Sequence, residues 1–228
     1  MDQAIQKNEH GPKLDKRALL LVKYKEQVRH INLITKNEVS FGRNYSNDIK
    51  LILFPFTDKC FESASQDISR KHFVIRRRPD GYTIQDNNTV NGTSLNCIAL
   101  LGKERYLKDG HIIDVGGVLD IKVLLQKDFL WLFRITNNHD ESYLLFPKTI
   151  TIGSSPNDTF TLIDDSIMPC HCEIKYQECD YWITKKHNAA IILVDNKKLG
   201  MNTPYRIRNN SYIYLGSNTV ILFKTSRT

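Results

Sequence analysis

Three short strings hold the side chains of this sequence best placed to do chemistry: Phe41-Gly42-Arg43, Ile68-Ser69-Arg70-Lys71-His72, and Asp86-Asn87-Asn88-Thr89-Val90-Asn91-Gly92-Thr93-Ser94-Leu95-Asn96. Arg offers a planar five-donor fork matched to phosphate oxygens, Ser a compact donor, and Asn an amide that can bond a peptide backbone in both senses. Converging on one anion, such groups suit a phosphorylated peptide. Catalysis fits less well. Ser69 and His72 could touch, but no acid is placed to orient the imidazole. Cys170, His171, Cys172 and Cys179 invite a zinc ion, yet strand alternation sends Cys170 and Cys172 to one face and His171 to the other. No enzyme activity, metal or cofactor is expected.

The elements that must position these strings are short. Ala18–Tyr24, Val28–Thr35, Val39–Phe41, His72–Arg77, Tyr82–Gln85, His111–Val115 and Leu119–Leu125 are rich in Val, Ile, Leu, Tyr and Phe. Alternation dominates, with Pro79-Asp80-Gly81, Asn91-Gly92 and Asp109-Gly110 as breakers between runs. The pattern predicts an all-β fold of sandwich type with no long amphipathic helix. In such a fold the three strings fall where strands hand over to loops, and such loops cluster at the ends of a sandwich.

The chain repeats itself. Ile68–Cys97 laid on Ile167–Asn196, a shift of 99, matches His72 with His171, Tyr82 with Tyr181, Ile84 with Ile183 and Leu95 with Val194. Upstream, Val39-Ser40-Phe41-Gly42 matches Ile150-Thr151-Ile152-Gly153 at a shift of 111, so the first copy carries 12 extra residues within about 53–66. Downstream, Ile113, Val115 and Gly116 match Ile213, Leu215 and Gly216. The expected organisation is a flexible arm over 1–17, a first domain over 18–126 and a second over 127–228, joined with almost no linker.

In order and spacing the three strings of the first copy resemble the forkhead-associated (FHA) domain, whose members bind phosphothreonine peptides. The resemblance covers nearly all of 18–126 and implies two tandem antiparallel β-sandwiches. It implies that Arg43 and Ser69 grip the phosphate, that Arg70 assists, and that Asn91 bonds the peptide main chain. Gly42, His72 and Gly92 would hold the loops in shape, and the loop from Thr93 to Asn96 would read a residue about three places after the phosphothreonine. Three positions depart from the family pattern. Val90 replaces a hydroxyl residue, removing one phosphate donor, and Cys97 and His111 replace a Gly and an Asp that shape turns. The insertion, with Phe54, Phe56 and Phe61, is open to two readings, a second peptide-reading surface or a packed decoration. In the second copy Ser154, Met168, Pro169, Ala190 and Ile191 stand where the first has Arg43, Ser69, Arg70, Asn91 and Gly92, so that copy is expected to bind no phosphate.

Composition narrows the rest. The 228 residues carry a net charge of +7 spread over both halves, which favours an anionic partner without naming one. Nucleic-acid binding through Arg70, Lys71, Arg76, Arg77 and Arg78 is the rival from another class, but only Phe73 offers a nearby stacking platform. A structural docking pair is the third reading. No apolar run approaches a membrane span and the start lacks a secretory pattern. Five cysteines at irregular spacing suit reduced thiols. Trp131 and Trp182 sit in apolar runs and are expected in the core or between domains. The expectation is a cytoplasmic, non-enzymatic adaptor for a threonine-phosphorylated protein. The resemblance places such adaptors in bacterial-type signalling beside serine/threonine kinases, and tandem pairs in secretion ATPases as well.

Overall fold

A computed structural model describes residues 17–55, 58–126, 128–136 and 140–225. The chain is nearly all strand. The N-terminal hairpin is β1 (Arg17–Tyr24) and β2 (Gln27–Ile34). The first repeat continues with β3 (Glu38–Gly42), β4 (Ile49–Lys50), β5 (Phe73–Arg78), β6 (Gly81–Asp86), β7 (Thr93–Leu95), β8 (Ile98–Ala99), β9 (Arg105–Tyr106), β10 (Ile112–Val115) and β11 (Leu119–Gln126). A second hairpin-like pair follows, β12 (Phe129–Arg134) and β13 (Glu141–Leu145). The second repeat runs through β14 (Thr149–Gly153), β15 (Phe160–Thr161), β16 (Cys172–Gln177), β17 (Asp180–Lys185), β18 (Ile192–Val194) and β19 (Lys197–Lys198). It closes with β20 (Tyr205–Ile207), β21 (Ser211–Leu215) and β22 (Thr219–Thr225).

Twelve of these strands form one continuous sheet in the order β19-β18-β21-β22-β1-β2-β13-β12-β11-β10-β7-β8. Two five-stranded sheets cover it: β4-β3-β5-β6-β9 from the first repeat and β15-β14-β16-β17-β20 from the second. Alternation explains the layering. In β11, Leu119, Ile121 and Val123 are buried while Lys122 and Leu124 are exposed, as a strand covered on one face requires.

The expected cut at 126/127 passes through both cores. β1 pairs with β22, matching Leu20 to Phe223, and Ala18, Leu20, Val22, Ile31 and Leu33 lie in the core of the second repeat. β12 pairs with β11, matching Val123 to Leu132, and Leu130, Leu132, Tyr143 and Leu145 complete the core of the first. The two hairpins have exchanged places relative to sequence order. The cause is the connection after β11: Gln126 is the register partner of Phe129, so only two residues turn the chain. A turn that short leaves β12 no choice but the antiparallel neighbour of β11. With that edge filled, β1 finds the equivalent edge at β22. β2 and β13 then meet in parallel, pairing Ile31 with Ser142 and Leu33 with Leu144. Because that pair is parallel, β11 and β22 run the same way, and the turns that open them, at Gly116 and Gly216, lie at the same end of the wide sheet.

The insertion contains the one α-helix among the described residues, α1 (Lys59–Ala64), capped by the Asp58 carboxylate, which accepts from the Cys60 amide at 2.8 Å. Phe61 and Ala64 pack against the first core, and the Ser65 hydroxyl accepts from the Leu53 amide and donates to the Phe61 carbonyl. Phe54 faces the buried Arg134 guanidinium at 5.8 Å. These contacts tie the segment to the core as packed structure; Phe56 lies outside the described residues. Trp131 is buried and stacks on Phe133 at 5.4 Å, whereas Trp182 is only half-buried, on the outward side of β17. The core expectation fails for Trp182 because Tyr181 and Ile183 take the inward positions of that strand.

Cores shared in this way make the two repeats one folding unit. Leu20→Ala is expected to cost about 2 to 5 kcal/mol in a single cooperative transition and to shift amide resonances around Phe223 and Ile174. Shifts centred instead on Ile84 and Val123 would contradict the exchange.

Candidate functional site

Three loops of the first repeat meet at the Gly116 end of the sandwich, held together by one imidazole. His72, fully buried, accepts from the Ser69 amide at Nδ1 (2.9 Å) and bonds the Gly92 carbonyl through Nε2 (3.0 Å). An amide can only donate, so Nδ1 carries no proton and the ring is the neutral Nε2–H tautomer. Main-chain bonds add the third loop: the amides of Arg43 and Asn44 donate to the carbonyls of Ser69 (3.1 Å) and Arg70 (3.2 Å). Asn47 strengthens that seam with its side-chain amide on the Arg70 carbonyl at 2.6 Å.

Two glycines permit the approach. A methyl group at Gly42 would lie 2.5 Å from the Arg70 carbonyl oxygen, so any larger residue would push the loops apart. Gly116 has φ +65°, and a side chain there would sit 2.7 Å from the Asp67 carbonyl oxygen and against the His72 ring. The Asp86 carboxylate organises the remaining loop by accepting from the Thr89 amide, the Thr89 hydroxyl and the buried Thr93 hydroxyl.

On this frame stand the expected site residues. Arg43 is half-buried, and its Nε is buried without a hydrogen-bond partner. Ser69 is half-buried and Arg70 exposed, both on the loop pinned by His72. Asn91 is exposed and donates its amide to the Asp67 carbonyl (3.2 Å) and carboxylate (3.1 Å). Val90 is 96% exposed beside it. The structure therefore brings Arg43, Ser69, Arg70 and Asn91 to one rim, supported by Gly42, His72, Gly92 and Thr93. It does not bring Asn96 there. Asn96 sits at the far end of β7, where its side chain accepts from the Ile112 amide, roughly 10 Å along the strand from Thr93. Asn96 and Cys97 both adopt positive φ, so the turn keeps its form with Cys in place of Gly. His111 likewise accepts from the Lys108 amide across its own turn. Asn47, Asp67, Asp86 and Gly116 were missed as parts of the site. The repeat carried a signal for one of them, since Gly116 and Gly216 coincide in the two copies.

The second repeat has the same frame. His171 accepts from the Met168 amide at 3.0 Å and bonds the Ile191 carbonyl at 3.1 Å, and Gly216 stands beside Ser166. Its rim is different, with Ser154, Met168, Pro169 and the buried Ala190 at the positions of the anion donors. Strand alternation does not govern Cys170, His171 and Cys172: β16 begins at Cys172, and Cys170 lies before it with φ +45°. Cys172 and His171 are both buried and Cys170 is exposed, and burial pushes the Cys172 thiol far up. The arginine run is largely neutralised: Arg76 bonds Glu38 and Gln85, and Arg78 bonds Glu104.

Burial holds both His72 and His171 below the ordinary histidine value of 6.5, despite the opposing bond from each Nε2–H. A depressed folded value means that their contribution to stability is complete above 6.5 and is lost as pH falls from 6.5 towards the folded value. In 15N NMR both rings should remain Nε2–H tautomers at pH 6.5 and titrate below it. An Nδ1–H tautomer, or titration above 6.5, would overturn the bridge.

A family model described as the FHA domain matches residues 39–116 and again 150–216, more than half of the chain. Neither stretch includes the exchanged hairpins. Similar solved structures include the FHA domain of an Arabidopsis thaliana hypothetical protein, at 21% identity over 38% of this chain and 75% of that one (TM-score 0.34). A structure from a study of phosphothreonine-dependent FHA domain interactions shares 22% identity over 48% of this chain and 97% of its own (TM-score 0.32). The second FHA domain of a Mycobacterium tuberculosis ABC transporter shares 25% identity over 45% and 77% (TM-score 0.31). No curated protein matches the chain. With the motif strings on one rim and the family pattern present twice, the chain belongs to the FHA domain family.

Proposed function

We propose that the first repeat binds a phosphothreonine peptide at the rim formed by Arg43, Ser69, Arg70 and Asn91, and that the chain is an adaptor without catalytic activity. FHA domains are binding modules, and no helix among the described residues is long and apolar enough to cross a membrane. The observation that carries the reading is Arg43. A buried guanidinium N–H with no acceptor is costly, because it has lost water without gaining a bond. A swing of the half-buried side chain towards the rim would bring its fork, Nε–H included, onto a phosphate oxygen, and the Ser69 hydroxyl and the exposed Arg70 fork stand on the adjoining loop to take the remaining charge. Asn91 uses its amide hydrogens on Asp67, which leaves its carbonyl oxygen for a peptide N–H.

The ligand comes from outside residues 1–17, which contain no Ser, Thr or Tyr. A partner phosphorylated by a serine/threonine kinase fits this chemistry, in a cytoplasmic setting. The second repeat offers no guanidinium at the matching positions, and it serves the first by completing the shared sheet.

Arg43→Ala should weaken phosphothreonine-peptide binding by about 2 to 5 kcal/mol, the range for removing one partner of a buried charge pair. Fluorescence anisotropy against a degenerate phosphothreonine library and its unphosphorylated twin measures this. Equal affinity for the two libraries, or a loss under about twofold in the variant, would contradict the reading.

A further inference from the structure

The two repeats differ at a second place, the face of the wide sheet that each turns away from its own core. In the first repeat the outward positions of β7, β10 and β11 include Ser94, Asp114, Asp120 and Lys122. The matching positions of the second repeat are Leu193, Tyr214, Val220 and Leu222. Register extends this apolar surface onto β1, since Leu21 pairs with Leu222, and Leu222 with Tyr212. Leu19, next outward position along β1, shares the face.

The strands that carry it do not alternate. Ala18-Leu19-Leu20-Leu21-Val22 and Val220-Ile221-Leu222-Phe223 are unbroken apolar runs, the mark of strands covered on both faces. Among the described residues only one face is fully covered; at the other, Leu19 borders the first repeat, lining a cavity with Asp48, Ile49 and Lys50. Ala18, Leu20, Val22, Ile221 and Phe223 are buried in the second core, while Tyr212 is 48% and Tyr214 36% exposed and Leu19, Leu21, Val220 and Leu222 are partly so.

Charge identifies what covers the other. Lys23 pairs with Val220, Lys224 with Leu19 and Lys198 with Leu193, which places three exposed lysines around the same face. Among the described residues no carboxylate occupies an outward position on β1, β18, β19, β21 or β22. A second copy of this chain would set lysine against lysine in a two-fold contact. Residues 1–16 carry three acids and three lysines, with only Ile5 and Leu14 as large branched side chains, a poor match to an apolar face with a basic rim.

We propose that this face docks an acidic amphipathic helix of a partner protein, whose apolar stripe covers Leu19, Leu21, Tyr212, Tyr214, Val220 and Leu222 while its carboxylates meet Lys23, Lys198 and Lys224. A helix on the open face of an antiparallel sheet is the usual way to bury such a surface. The docking is independent of phosphate recognition and needs no Arg43.

The test uses the full chain and a synthetic helix of about 18 residues, five turns, with Leu on one face and Glu on the other, beside a twin carrying Lys for Glu. Amide shifts confined to β1, β18, β19, β21 and β22 with the acidic helix alone are expected. The substitutions Tyr214→Asp, Val220→Asp and Leu222→Lys, copied from the first repeat, should weaken binding about tenfold or more. In case that variant loses its fold, Lys23→Glu with Lys224→Glu should shift the preference from the acidic to the basic helix. Equal response to both helices, self-association of the free chain through this face, or binding to phosphatidylserine vesicles without binding to the acidic helix would overturn the proposal.

Discussion

The site depends on one buried imidazole. His72 fastens the amide of Ser69 to the carbonyl of Gly92, and thereby fixes the distance between the loop that holds two of the expected phosphate donors and the loop that holds Asn91. The Arg43 loop joins through main-chain bonds that only Gly42 leaves room for. None of these contacts involves a ligand, so the rim is assembled in advance and peptide binding has little ordering cost to meet. His171 makes the same pair of bonds in the second repeat. The frame is therefore separable from the pocket: one copy presents a cationic rim on it, the other an apolar one.

A second constraint, the two-residue turn after β11, shapes the whole molecule. It commits β12 and β13 to the first core and sends β1 and β2 to the second. Each sandwich thus contains strands from the other half of the sequence, and the parallel β2–β13 pair joins them edge to edge. Tyr143, from the later half, packs edge-on against Phe41 at 5.9 Å, two residues before Arg43. The exchange also brings the runs of β1 and β22 side by side, which creates the broad apolar face with its lysine rim.

Much of this was legible in the sequence. Alternation located the strands, a shift of 99 exposed the repeat, and the three strings marked the loops that converge. The exchange was not legible from hydrophobic pattern, because β11 and β22 offer β1 equivalent apolar edges and pattern alone does not choose between them. The discriminating signal was geometric, a gap of two residues between Gln126 and Phe129. Asn96 was misplaced for a similar reason: it belongs to the motif string, but three residues of extended chain carry it away from the rim. For Cys170 the alternation rule was applied before the strand begins, at a residue whose positive φ breaks the period. The tie between Asn91 and Asp67 spans 24 residues and left no trace in local spacing.

The central claim is that the Arg43 Nε–H awaits a phosphate oxygen. It is tested most directly by following the Arg43 Nε–Hε resonance by NMR while a phosphothreonine peptide is added. The account predicts a downfield shift of that signal that saturates with the phosphorylated peptide, is absent with its unphosphorylated twin, and leaves the His171 loops untouched. An Arg43 signal indifferent to the phosphopeptide while other residues of the chain respond would place the ligand elsewhere and contradict the account.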